Sequence, residues 1–131
     1  MPENSDARIV NDLDEIGLLG AIRQLQGGKD LAGFDLDGIP TFTVGCTIAP
    51  CADEDEMAVE LEAAGRKVAA GASFVITPPV FDLDRFAAFL PKVQKLGVPV
   101  IPTVFLLKSL AIAQYIANSE PGAHISDVLI R

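Results

Sequence analysis

The sequence predicts an α/β fold built from parallel βα units, with a sheet covered by helices. Three observations point to it. Helical and strand patterns alternate along all 131 residues, joined by short connections and interrupted by no linker or low-complexity run. The composition is 50% hydrophobic and 21% charged, at the apolar edge of globular chains, as strands buried on both faces require. Residues 66–82 (RKVAAGASFVITPPVFD) join a helix end, a short strand and a new helix start. Gly71 is the glycine wanted just past a helix C-terminus, Phe74 to Ile76 form a buried-strand run, and Asp82 stands where an N-cap belongs. On these grounds a small open α/β domain and a piece of a parallel barrel fit equally well.

The elements follow in order. Asp12 can cap a first helix with Glu15 three residues on, as in a capping box. Ile16, Leu18, Leu19, Ile22 and Leu25 give that helix an apolar face, and Gly27-Gly28 ends it. Residues 41–46 (TFTVGC) are β-rich and read as the first strand. Asp53, Glu54, Asp55 and Glu56 oppose a helix dipole, and Leu61, Ala64 and Val68 carry a buried stripe up to Gly71. Residues 74–80 form the second strand and its exit. A third helix runs over residues 82–96 with Phe86, Phe89, Leu90, Val93 and Leu96 inward. Pro91 predicts a kink in it, because it removes the bond to the Ala87 carbonyl. Residues 98–105 are the third strand, with prolines near its ends or on an unpaired side. A fourth helix spans about residues 109–118, and Ser126-Asp127 caps a last one running to Arg131.

Charge and cysteine usage exclude several function classes. A net charge of −8 opposes a phosphate-tracking nucleic-acid binder, which needs clustered Lys and Arg. No apolar run approaches the ~20 residues of a membrane span, and residues 1–6 are polar rather than signal-like, so a cytoplasmic location is the default. Cys46 and Cys51 are too few for a disulfide scaffold, and structural zinc wants four ligands where the single histidine, His124, lies far along the chain. The two thiols read as buried or pocket-lining, His124 as a surface or capping residue, and Asp53 to Glu56 as dipole partners.

Taken together, the motifs resemble the methylenetetrahydrofolate reductase family, over roughly residues 9–131. The residues that carry the resemblance are the segment 66–82, the entry helix VNDLDEIGLL (10–19), the loop GKDLAG (28–33), the strand exit GCTIAP (45–50), GVPVIP (97–102) with LLKS (106–109), and EPG (120–122). Each is weak alone; their order and spacing make the match specific. The nearest flavour is the bacterial branch with "TPVFD" and "LLKS". The resemblance implies a TIM (β/α)8 barrel, of which this chain carries about strands five to seven with their flanking helices. Such a barrel takes ~250 residues, so residues 1–131 make one partial domain, with residues 1–8 expected to be flexible. It also implies FAD as cofactor, and a folate substrate and NAD(P)H in the complete enzyme. The catalytic glutamate and an aspartate near the flavin ring belong to strands one and four, which this chain does not carry, so no catalytic residue is assigned. A half-barrel with open edges is expected to form a homo-oligomer or to associate with the missing barrel half.

The same resemblance assigns binding residues. Glu60, Ala63, Arg66 and Lys67 recur at helical spacing along one face, turned away from the Leu61/Ala64/Val68 stripe. In the family these positions look toward the dinucleotide, as an acid for ribose hydroxyls, an amide, and an Arg-Lys pair for the pyrophosphate. Here Glu60 replaces the usual Asp, Ala63 has lost the amide, and Arg66 and Lys67 match. Arg and Lys suit phosphate as charge-assisted donors; from the residues alone a solvated basic helix end near its favourable dipole terminus is the stronger reading, and the resemblance turns the balance toward phosphate. Thr47, at the first strand's exit, joins the cofactor set. Thr77 and Pro78 are candidate substrate residues, being where a barrel strand meets its C-terminal loop, although a structural strand-to-helix turn explains them equally. Pro78 and Ile112 replace glutamines that contact folate in relatives.

Overall fold

The computed structural model describes residues 12–51, 53–119 and 125–126. The predicted flexible residues 1–8, the EPG motif, His124 and the helix predicted after Ser126-Asp127 lie outside the described residues.

Three strands, β1 (Gly45–Thr47), β2 (Phe74–Pro79) and β3 (Val100–Thr103), form one parallel sheet in the order β1-β2-β3. Helix α1 (Glu15–Gln26) precedes β1, α2 (Glu54–Ala70) and α3 (Leu83–Val93) form the crossovers, and α4 (Leu110–Ser119) follows β3. This is the repeating βα pattern expected, and it is consistent with part of a TIM barrel.

Side-chain capping sets the helix starts. The Asp53 carboxylate accepts from the amides of Asp55 and Glu56, and that of Asp82 from the Arg85 amide. The first helix departs from expectation: its cap is Asp14, not Asp12. Extended backbone at Asp14 brings its carboxylate 2.6 Å from the Gly17 amide, and Gly17 leaves room because a Cβ there would press on that same oxygen. At the far end of α2, Gly71 adopts φ +127°, which a side chain would resist. The third helix continues through Pro91 to Val93, then tightens into a 3₁₀ turn over Gln94–Leu96 closed by Gly97.

The strands are shorter than predicted. Residues 41–44 stay outside β1, because the ladder exists only where β2 offers partners, from Gly45↔Phe74 to Thr47↔Ile76. The Phe42 carbonyl instead accepts from the Gln26 side chain. Pro102 lies within β3. Thr103 points its backbone toward β2, so Pro102 turns its missing N–H to the outer, unpaired side.

The two faces of the sheet are unlike. On one, Val75 packs with Ile48, Met57, Ala64, Phe89 and Val93 beneath α2 and α3, and Phe86, Leu90 and Leu96 join them, so the predicted inner side of α3 is the observed one. The α2 stripe is led by Met57 and Ala64, with Leu61 against the cluster and Val68 half-buried. On the other face lie Gly45, Phe74, Ile76 and Ile101, with the Phe74 ring folded over Gly45 and the isoleucines 36% and 46% exposed. Of the predicted α1 face only Leu19 is buried, while Ile16 and Leu18 stay exposed. Amphipathic spacing marks which side seeks cover, and the described elements cover that side only at Leu19 and in part at Ile22 and Leu25.

Candidate functional site

Parallel strands deliver β1 and β2 to the same end, and the candidate residues gather at the exit of β1. Thr47 is its last residue. Its neighbours Cys46 and Ile48 turn toward the helices, and Thr47 shares the opposite face with Ile76. Ala49, two residues on, donates its amide to Glu60 Oε1 on α2 at 3.1 Å. About two helical turns further along α2, Lys67 reaches the Thr47 carbonyl at 3.5 Å and the Glu15 carboxylate at 2.6 Å. The sheet uses the amide of Ile48 toward β2, so alternation aims the Thr47 carbonyl at the outer edge of β1. Lys67 therefore satisfies an edge carbonyl.

The predicted face of α2 is solvated only in part. Lys67 keeps only 12% of its side chain exposed, while Glu15 keeps 67%. Glu60 and Ala63 are half-buried and Arg66 is exposed. Between α1 and β1 lies a cleft of about 220 Å³ lined by Glu15, Leu18, Leu19, Cys46, Thr47 and Lys67. An adjoining groove of about 290 Å³ runs along Asp14, Glu15, Ile16, Ala63, Arg66 and Lys67. Among the described residues Arg66 forms no ion pair.

Burial pushes the Cys46 thiol above its ordinary value, the nearby Lys67 ammonium opposing this and Glu15 and Glu60 adding to it. Burial likewise raises the Cys51 thiol, with Glu60 and Glu56 contributing. Both are free and pack against the main core. Held as neutral thiols they are poor nucleophiles at neutral pH. Among the described residues no three His, Cys, Asp or Glu side chains converge as metal ligands, and no helix is long and apolar enough to cross a membrane.

Thr77 and Pro78 stand apart, one strand over. Thr77 is 3% exposed, with its hydroxyl donating to the Pro78 carbonyl at 2.9 Å and accepting from the Thr103 amide at 3.2 Å. The Thr103 hydroxyl returns a bond to the Thr77 carbonyl at 2.6 Å. These contacts account for Thr77 as a joint between β2 and β3. Pro78 is half-buried beside it, and Ile112 packs against Ala113, Ile116 and Ile125.

The residues present fit a dinucleotide's diphosphate in charge and in part. Arg66 and Lys67 set two cations side by side, one open and one held by Glu15. Ala63 offers no amide, and Glu60 is engaged with Ala49. Glu15 was legible only as a helix-start acid, since nothing in linear spacing brings it to Lys67.

Compared with protein families, residues 16–131 match the family described as methylenetetrahydrofolate reductase. Compared with curated proteins, the chain has no match.

Proposed function

The chain belongs to the methylenetetrahydrofolate reductase family, and from that premise we propose that it supplies part of the barrel of a flavin-dependent enzyme reducing 5,10-methylene-tetrahydrofolate to 5-methyl-tetrahydrofolate. In this reading β1, β2 and β3 are barrel strands five, six and seven. The observation that carries it, beyond family membership, is the cationic α2 face at the C-terminal exit of a parallel strand, where barrels of this kind build their sites.

FAD is the proposed cofactor, and when bound it would carry the hydride between NAD(P)H and the folate. This chain's residues would bind and orient it: Arg66 and Lys67 as donors to the diphosphate, Glu60 as acceptor for ribose hydroxyls, and Thr47 at the strand exit. Thr77 and Pro78 would border the folate, with Pro78 contributing shape alone because it has no polar side-chain atom. No group in this chain is proposed to move the substrate proton. We propose that the 131 residues alone do not turn over, and that action is cytoplasmic.

Assembly completes the proposal. The inner sheet face is apolar and half-exposed, and among the described residues the outer edges of β1 and β3 have no strand partner. Closure by the remaining barrel strands, or by a second copy, would cover both. A second reading, a half-barrel without catalytic use, is favoured by Ala63, Pro78 and Ile112, each apolar where relatives carry an amide.

The test is FAD titration by fluorescence quenching. The chain alone should bind weakly, because each charge-assisted contact is worth only ~1.5 to 3 kcal/mol against the cost of immobilising a large cofactor. Mixed with the missing strands it should bind well, and Arg66→Ala with Lys67→Ala should weaken it at least ~10-fold, or about 1.4 kcal/mol. Equal affinity in both would remove the flavin-site assignment.

A further inference from the structure

We propose that Glu15 is a built-in counter-anion for Lys67, so that it sets the affinity of the α2 face for phosphate-bearing ligands and must be displaced for a nucleoside diphosphate to bind. This rests on the reading of that face as a dinucleotide platform, and assigns a residue which that reading does not use.

Three observations support it. The Glu15 carboxylate lies 2.6 Å from Lys67 Nζ, where an anionic oxygen of a ligand would otherwise sit. The Lys67 side chain is almost enclosed while that of Glu15 is mostly in solvent, so the two partners are unequally held. Lys67 is tied to the Thr47 carbonyl as well, whereas Glu15 has no second partner among the described residues and sits on the first turn of α1. Of the two, Glu15 is the one free to leave. Its departure opens the groove it shares with Arg66, the adjacent cation without an ion pair. A pair this exposed on one side holds weakly in water, so displacement by a dianionic group is feasible. Enclosure of Lys67 makes the exchange selective for ligands that bring their own negative charge.

The groups facing Lys67 decide the controls. Asp14 and Glu15 approach from α1, Arg66 from α2 itself, and Thr47 from β1. Removing any acid raises anion affinity slightly through the general field. Glu62, exposed on α2 and absent from this cluster, measures that background.

The experiment uses the full chain with ADP as probe, followed by ligand-observed NMR titration, alongside acylation of Lys67 read by mass spectrometry without ligand. Glu15→Gln should tighten ADP about three- to tenfold and raise Lys67 acylation severalfold. Glu62→Gln should change both by less than twofold. In a Lys67→Ala background the Glu15→Gln gain should vanish, because the coupling is specific to that pair. Unchanged Lys67 acylation in Glu15→Gln, or an ADP gain that survives Lys67→Ala, overturns the counter-anion. If acylation rises as stated but ADP binds Arg66→Ala/Lys67→Ala as well as wild type, Glu15 holds Lys67 while the dinucleotide reading fails. Absence of ADP binding to Glu15→Gln at millimolar concentration also overturns the displacement.

Discussion

Replacing Thr77 by Val separates a structural joint from a substrate contact. The substitution keeps the shape and removes the hydroxyl. Two bonds go with it, the one donated to the Pro78 carbonyl and the one accepted from the Thr103 amide. Thr77 is nearly sealed from solvent, so water cannot easily take over the vacated positions. A net ~1 kcal/mol for each bond, plus the penalty of a buried amide without an acceptor, gives a loss of about 2–3 kcal/mol. In a chain of this size that lowers the thermal midpoint by roughly 8–12 °C. Thr77→Ser keeps the oxygen and should lose about 1 kcal/mol or less, for one methyl group. Urea unfolding followed by circular dichroism gives both values. Thr103→Val and the double variant complete a cycle, whose coupling should exceed about 0.5 kcal/mol because the two threonines exchange bonds. If Thr77→Val unfolds within about 0.5 kcal/mol of wild type, the hydroxyl is not a joint. A folate role for it would then regain its footing.

Three further outcomes follow from other parts of the chain. Asp53→Ala, which orphans the Asp55 and Glu56 amides, should cost about 1 kcal/mol and shorten α2 by helical circular dichroism, whereas Asp53→Asn should restore most of it. The purified chain should self-associate in light scattering through its inner sheet face, and Ile101→Lys should shift it toward monomer with little change in thermal midpoint; unchanged association would place the contact elsewhere. Because burial raises the Cys46 thiol, the fold favours its neutral form, so this stability is full below the ordinary value of 9.0 and drains away as pH climbs through the raised one. Cys46→Ser should therefore flatten the alkaline fall in stability, and identical slopes would exclude the thiol as its source.

Short-range rules were legible where a single segment contains both partners. Asp53, Asp82 and Gly71 mark helix ends close to the groups they serve, and the four inward residues of α3, Phe86, Phe89, Leu90 and Val93, repeat at a period the helix itself imposes. Where the partner is elsewhere, the sequence overreached. Thr41 to Val44 are good strand formers, yet only residues facing β2 enter the ladder. Ile16 and Leu18 have the right spacing for burial, but spacing does not say what covers them. The site divides the same way. Helical period put Glu60, Ala63, Arg66 and Lys67 on one face, and the structure sets Glu60, Ala63 and Lys67 of it against α1 and β1 while Arg66 stays exposed. That Lys67 would be held by Glu15, or the Thr77 hydroxyl by Thr103, depends on tertiary neighbours that no local pattern encodes.

Those partners also couple the α2 face to the sheet. Glu60 holds the amide of Ala49 and Lys67 the carbonyl of Thr47, so two side chains on one helix face clamp both sides of the residue that follows β1. The residue between them, Ile48, is almost fully buried and donates its amide to Ile76 of β2. A ligand that draws Lys67 away from Thr47 frees the outer edge carbonyl of β1 while leaving its inner pairing intact. That carbonyl is then open to a strand laid against β1, as barrel closure would require. Phosphate binding at α2 and strand addition at β1 are therefore coupled through the same ammonium. Each should favour the other, because whichever comes first removes Lys67 from the arrangement that opposes the second.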